Sequence, residues 1–295
     1  MRASKPAAAS GRRRAQPYLF FYPAFLLVAA VSFVPLFYAL RQSVYSADYL
    51  TTGGFVGLSN YTELLLHGGG LAAIGVSLTF VVGSLLLTVP LGVGLALLLN
   101  RPIRFSTFFR TVLLLPWIIS QLVTGLLWLW LYDGRLGPVA DAVQGLGLSF
   151  SGPLTDPDWA LPSLILTNTW HSYPLVMIFT LAALQTIPRE TLEAARIDAP
   201  SAWRRFRHVT LPLIRNTVLV ALVLSTLHTF NTVTTVLVMT GGGPVGATEV
   251  LALKVFKEGF QFYRMEIAAA AAVVIFALNI VFTLAYIRVL RSERT

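Results

Sequence analysis

The chain has 295 residues, 56% of them apolar and only 12% charged, with no cysteine and a formal net charge of +9. Ordinary soluble domains carry about 25% charged residues, so a soluble globular enzyme is excluded as the class, and the missing cysteines exclude disulfides and thiolate metal sites. A charge of +9 can point to nucleic acid, but its distribution along the chain points to membrane orientation instead, as the elements below make plain.

Residues 1–17 form a basic tail, with Arg12, Arg13 and Arg14 placed to meet anionic lipid. Six stretches follow without Asp, Glu, Lys or Arg: 18–40, 72–99, 111–132, 160–188, 216–248 and 267–287. A bilayer-crossing helix needs about 20 mainly apolar residues. The expectation is an all-α membrane protein with six transmembrane helices, near 18–40, 72–99, 107–131, 160–184, 213–238 and 266–288. The first is long enough to span and is read as retained, not as a cleaved signal. Outer segments at 41–71 and 132–159 are rich in glycine, and the second is expected to fold over the mouth of the bundle. Helix five is expected to stop at Thr240-Gly-Gly-Gly-Pro244.

Between helices four and five lies a polar, basic stretch, residues 185–212, reading QTIPRETLEAARIDAPSAWRRFRHVTLP. Seventeen of the 22 basic residues fall on its side of the membrane. The positive-inside rule then puts that stretch and both termini in the cytoplasm. A helix carrying Glu-Ala-Ala, followed by an aromatic and basic run, reads as a docking element.

Nothing in the sequence reads as catalytic. There is no GxxxxGK[ST] loop for ATP, no HExxH, no GxSxG and no cluster of His residues for a metal. Asp156 and Asp158 read as capping or solvated acids. Ion-coupled transporters usually bury an ionisable residue in their pathway. Here the only such groups expected at membrane depth are His171 and His228. Energy for uphill transport therefore has to enter from outside the chain.

Two helices carry neutral polar groups at that depth. Helix four holds Asn168, His171 and Ser172. Helix five holds His228, Asn231 and Thr235 on one stripe, with Thr234 beside it. Amides, imidazoles and hydroxyls suit a neutral hydroxyl-rich solute, and the plain alternative is hydrogen bonding between helices.

The residues Glu193-Ala-Ala-Arg-Ile-Asp198, Trp203, Phe206 and Thr210-Leu-Pro212 resemble the EAA loop of membrane subunits of bacterial binding-protein-dependent ABC importers, in the maltose and glycerol-3-phosphate branch. Val56-Gly-Leu-Ser-Asn-Tyr61, Phe109-Arg110, Leu114-Leu-Pro-Trp117, Ala183-Leu-Gln-Thr-Ile-Pro188, Phe230-Asn231 and Thr240-Gly-Gly-Gly-Pro244 with Thr248 add to it, in order. The resemblance implies a type I importer permease fold: an N-terminal helix plus a five-helix core. It implies a carbohydrate or polyol carried by alternating access. As partners it implies a second homologous permease in a heterodimer, two ATPase subunits that hold ATP and magnesium, and an extracytoplasmic solute-binding protein, with no nucleic acid and no cofactor in this chain. The location implied is the bacterial inner membrane. Carried over, Glu193 meets a basic ATPase residue and Ala194 and Ala195 permit close approach. Arg196 and Asp198 belong to the same motif, and Trp203 and Phe206 anchor a second short helix. Where the family has glycine after the motif aspartate, this chain has Ala199-Pro200. The rival reading is an ATP-independent channel for small neutral solutes, which has no use for an EAA loop. A membrane scaffold without a pathway is weaker still, given the polar groups in helices four and five.

Overall fold

The computed structural model describes residues 12–48, 51–102, 104–147, 152–198 and 201–291. The chain is mostly helical, and its centre is a pair of long helices, α3 and α7, packed along their lengths. The elements in order are α1 (Arg12–Gln42), a hairpin of β1 (Tyr45–Asp48) and β2 (Thr51–Phe55), α2 (Ser59–Thr62) and α3 (Gly70–Leu99). Then come α4 (Ser106–Ile118), α5 (Gln121–Leu131), α6 (Pro138–Gly145) and α7 (Pro157–Gln185). The rest is α8 (Arg189–Asp198), α9 (Ala202–Arg205), α10 (Leu211–Phe230), α11 (Thr234–Met239), α12 (Leu251–Phe256) and α13 (Met265–Arg291).

Helix α1 begins at Arg12, inside the stretch expected as a tail. Its apolar side chains, Phe25, Val31, Phe33 and Phe37 among them, stay exposed, and its main contacts are with α13 and β1 of the hairpin. The hairpin departs from the all-α expectation. Tyr45 and Phe55 face each other across it with ring centroids 5.6 Å apart, and the Arg41 guanidinium lies 5.0 Å over the Tyr45 ring. Asn60 fixes it to the bundle by donating to the carbonyls of Ser43 (3.0 Å) and Tyr45 (2.8 Å).

Small residues let α3 and α7 approach. A Cβ on Gly92 would sit 2.7 Å from Cβ of Val176, so only glycine fits there. Among the described residues, four helical stretches are long and apolar enough to cross a membrane: Tyr22–Gln42, Gly70–Leu99, Ala202–Phe230 and Met265–Arg288. A fifth is the pair α4 and α5, bent by 95°. The sequence led us to expect one continuous helix there. It breaks because Ile119 and Ser120 are extended and Ser120 Oγ accepts the N–H of Val123, capping α5. Helix α7 falls outside these by composition. It is nevertheless buried on many sides, so its polar residues meet other helices.

The expected helix five is also interrupted. α10 ends at Phe230, and residues 231–233 are not helical. The side chains there take up the helix's terminal carbonyls: Asn231 Nδ2 donates to Leu227 (2.7 Å) and Thr232 Oγ1 to His228 (3.1 Å). Such local satisfaction is what a break needs where water is scarce. At its other end, α9 runs on through a π-helical turn, Phe206–Thr210, into α10. The second short helix expected around Trp203 is thus the start of a long one.

The outer segments are packed structures. At the end of α5, Asp133 accepts the N–H groups of Leu136 (2.8 Å) and Arg135 (2.9 Å), which hold its carboxyl below its ordinary pKa. Val139 and Leu154 pack against the main core, so this segment covers one end of the bundle as expected. Asp156 caps α7 by accepting the N–H of Asp158. The helix before Thr240 does stop at the glycine run. Gly241 and Gly242 have φ of 57° and 91°, and Thr248 Oγ1 meets both Thr240 Oγ1 (2.7 Å) and the Gly243 carbonyl (2.6 Å).

The next segment, between the expected spans, adds buried ionisable groups outside membrane depth. α12 and the π-helical turn after it bury Lys254 and Glu258, the latter 2% exposed. Glu258 is bound by Arg264 at 2.6 Å and faces Lys254 at 3.7 Å. Buried charges persist when paired in this way.

Candidate functional site

Three groups of side chains are candidates, and they lie on different elements. The first is the polar stretch between α7 and α10. In α8, Glu193 and Ala194 are exposed while Ala195 is buried at 7%, so only one of the two alanines is on the open face. Arg196 and Asp198 are on the last turn and a half of the same helix. Ala199 and Pro200 lie outside the described residues. Trp203 is 67% exposed and its ring stacks obliquely on Phe206 at 5.6 Å. Phe206 in turn packs against buried Val93, Val176 and Ala221 of the core. The exposed part of α8 carries Glu190 and Glu193, and the exposed indole that follows it in the chain is rooted in the bundle through Phe206.

The second group is enclosed. His171 of α7 and His228 of α10 stack with ring centroids 6.0 Å apart, and Trp117 of α4 lies 5.9 Å from the first and 5.4 Å from the second. Thr124 Oγ1 sits 3.3 Å from His171 Nδ1, and Gln121 Nε2 sits 3.3 Å from His228 Nε2. One helical turn before His171, Asn168 donates to Thr229 Oγ1 at 3.3 Å. Ser172 is buried, and its hydroxyl has no partner among the described residues. Together these bonds tie the α4–α5 elbow to α7 and α10. Thr235 Oγ1 adds a bond to the Gln121 carbonyl (3.3 Å), and α5 and α11 come close at Gly125, where a Cβ would lie 3.1 Å from Val238.

Sequence reasoning missed Trp117, Gln121 and Thr124. One signal was present: Gln121 is an amide in an otherwise apolar run.

The third group opens outward. A groove of about 420 Å³ between α10 and α13 is lined by apolar side chains with Asn231, Asn279 and Thr283 among them. Asn279 Nδ2 donates to the Ile275 carbonyl (3.0 Å), while its buried Oδ1 has no partner among the described residues. The break after Phe230 turns Asn231 away from the His171–His228 pair and into this groove. The expected stripe of His228, Asn231 and Thr235 is therefore split. Thr234 opens α11, half-buried and remote from the groove lining.

The chain was compared with known proteins. Residues 88–294 match the family described as binding-protein-dependent transport system inner membrane component. The chain belongs to this family. It is 34% identical to an sn-glycerol-3-phosphate transport system permease protein, UgpA, of Rhizobium meliloti, over 90% of each chain. It is 32% identical to a sulfoquinovosyl glycerol transport system permease protein, SmoG, of Agrobacterium fabrum, over 92% of this chain and 89% of that one. In structure it resembles a bacterial ABC transporter involved in the import of the acidic polysaccharide alginate, with a TM-score of 0.79, 24% identity and coverage of 95% and 96%. A bacterial alginate ABC transporter in complex with an alginate pentasaccharide-bound periplasmic protein gives a TM-score of 0.80 at 24% identity, covering 96% of each chain. The chain is therefore the membrane-spanning subunit of an ATP-driven importer.

Proposed function

We propose that this subunit crosses the membrane six times, pairs with a second homologous permease, and passes a carbohydrate or related polyol by alternating access. The crossings are α1, α3, the bent α4–α5 pair, α7, the α9–α10 helix and α13. α7 counts because it is 29 residues long and its polar face is covered by neighbouring helices. The bias of basic residues puts both termini and α8 in the cytoplasm. There α8 meets one of two ATPase subunits, which carry ATP and magnesium, and an extracytoplasmic protein delivers the solute on the other side.

The observation that carries this reading is the open face of α8. Glu193 stands exposed on it, and the Trp203–Phe206 stack, later in the chain, leads into a membrane-spanning helix. A channel has no need of such a lever. For the solute, amides and hydroxyls without a fixed charge suit sugar hydroxyls. The groove with Asn231 and Asn279 is the better placed of the two polar groups, since it is open and Asn231 stands exposed in it.

Glu193→Lys is the test. In the reconstituted assembly with both permeases, both ATPases and the binding protein, solute-stimulated ATP hydrolysis should fall to the basal rate, because a cation then faces a basic partner surface. Co-purification reports assembly in parallel. Normal stimulation in the variant would refute the role. Reporter fusions at Asn60, Phe150 and Val250 should read external and one at Pro200 internal; an external signal at Pro200 would overturn the orientation.

A further inference from the structure

Phe276 stands halfway along the crossing Met265–Arg288 and lines the groove between α10 and α13. Ala272, Ile280 and Thr283 continue its stripe at helical spacing and line the same groove. The Phe276 ring is 44% exposed and meets no other aromatic ring among the described residues. Further along the same helix, Phe282 packs on Phe230 at 5.4 Å and on Tyr286 at 6.2 Å between ring centroids. One phenylalanine of α13 is thus fixed by packing, and the other presents a free ring. On the α10 side stands Asn231. Its Nδ2 donates to the Leu227 carbonyl at 2.7 Å, and its Oδ1 has no partner among the described residues. Thr283 Oγ1 donates to the Asn279 carbonyl at 2.8 Å and keeps its lone pairs to accept. Among the described residues that line the groove, none is charged. We propose that the groove takes one pyranose ring of an uncharged sugar, the C–H face of the sugar on Phe276 and its hydroxyls on Asn231 and Thr283, so that Phe276 sets a preference for a closed ring over an open chain.

The chemistry of the lining selects this occupant. A pyranose shows C–H hydrogens on its faces, and the face of an aromatic ring is negative. Its hydroxyls project at the rim, where an amide offers both an acceptor and a donor. An acyclic polyol has no flat C–H face and must be ordered bond by bond before it can lie on the ring, at a cost in entropy. A carboxylate or phosphate would enter an apolar groove without a counter-charge. An acyl chain would leave the Asn231 amide nothing to bond. The volume, about 420 Å³, lies within the range of small-molecule sites. Transporters bind solutes near the bilayer midplane where helices are interrupted. Phe276 is at mid-crossing, and Asn231 begins the interruption after α10. The inference rests on the groove being part of the solute path, as proposed above.

Saturation-transfer difference NMR on the assembled transporter in nanodiscs, without the binding protein, tests this at the membrane path alone. The probes are the methyl glycosides of glucose, galactose, mannose and xylose, with mannitol and glucuronate beside them. At least one methyl glycoside should receive saturation, strongest at its ring C–H protons, and should exceed mannitol and glucuronate by about fivefold. Phe276→Leu, which keeps the apolar bulk and removes the ring, should lower that signal about fivefold, and Phe276→Tyr should keep it. Unchanged melting of Phe276→Leu separates loss of binding from loss of fold. No signal from any methyl glycoside, an equal signal from mannitol or glucuronate, or an undiminished signal in Phe276→Leu would overturn the proposal. Asn231→Ala separates that failure from failure of the solute path itself. If Asn231→Ala lowers the signal and Phe276→Leu does not, the groove still carries solute and the ring stacking is refuted. If neither lowers it, the groove is not the site and both readings fall.

Discussion

The two polar regions of the bundle are built in opposite ways. The ring cluster of Trp117, His171 and His228 is enclosed, and both imidazoles reach side-chain partners on α5. The α10–α13 groove is open, and Asn279 keeps an acceptor with no partner. Both sit in apolar runs and both are neutral, so composition treats them alike. Their difference comes from where helices break. At Ile119–Ser120 the chain bends by 95°, and Gln121 and Thr124 after the bend reach the histidines of neighbouring helices. At Asn231–Val233 the break spends Asn231 and Thr232 on the carbonyls of α10 and leaves the groove beside them. The first arrangement ties helices together; the second leaves an open surface, the one proposed above for the solute.

The joint should give the largest response. Trp117→Ala removes the ring that bridges both histidines, and a tryptophan truncation in a packed site costs about 3 kcal/mol. Thermal melting of the purified assembly should show a clear loss of stability, with uptake lost as the elbow loosens. Unchanged melting would mean that the cluster locks nothing, and the comparison would fail at its first term.

The groove should respond in uptake and not in stability. Asn279→Ala removes an acceptor that has no partner to lose, and Asn231→Ala removes an amide whose main bond is to its own helix. Loss of one hydrogen bond to solute is worth about 0.5–1.5 kcal/mol. Each variant should therefore raise the half-saturation concentration for uptake by about two- to tenfold, measured in proteoliposomes with the partner subunits. Normal uptake in both would shift solute contact to the partner permease.

Much of this was legible beforehand, and the gaps have physical causes. Charge-free runs locate the helices because lipid excludes charge regardless of packing. Helix α8 is legible because its charged residues interrupt the apolar pattern. Helix breaks were hidden, since Pro116, Ser120 and Asn231 are tolerated within continuous membrane helices too. Asn279 went unnoticed because a single amide among alanines and isoleucines carries no pattern; only the packing of α13 against α10 gives it meaning. The paired charges Lys254, Glu258 and Arg264 looked like loop residues because burial there depends on α12 folding back onto α13.

Asn168 separates the two regions more finely. It shares a face of α7 with His171, but its amide donates to Thr229 across a buried contact. Bonds of this kind between membrane helices are worth about 0.6 kcal/mol. Asn168→Ala should lower stability by about that much and leave the half-saturation for uptake unchanged. The opposite pattern, normal melting with weakened uptake, would move the solute path into the enclosed cluster.

Ser172 offers the smallest and most discriminating change. Its hydroxyl is buried in α7 next to His171 and has no partner among the described residues. A buried hydroxyl without a bond adds nothing to stability, and its removal leaves only a small gap. Ser172→Ala should therefore melt within about 0.5 kcal/mol of the parent, as substitutions that disturb no specific interaction do. If the enclosed cluster is a joint and no more, uptake should also be unchanged. A transporter that melts normally but takes up solute poorly would mean that Ser172 bonds to solute in another state of the cycle. The joint would then open during transport, and the line between the two regions would hold only for the state described here.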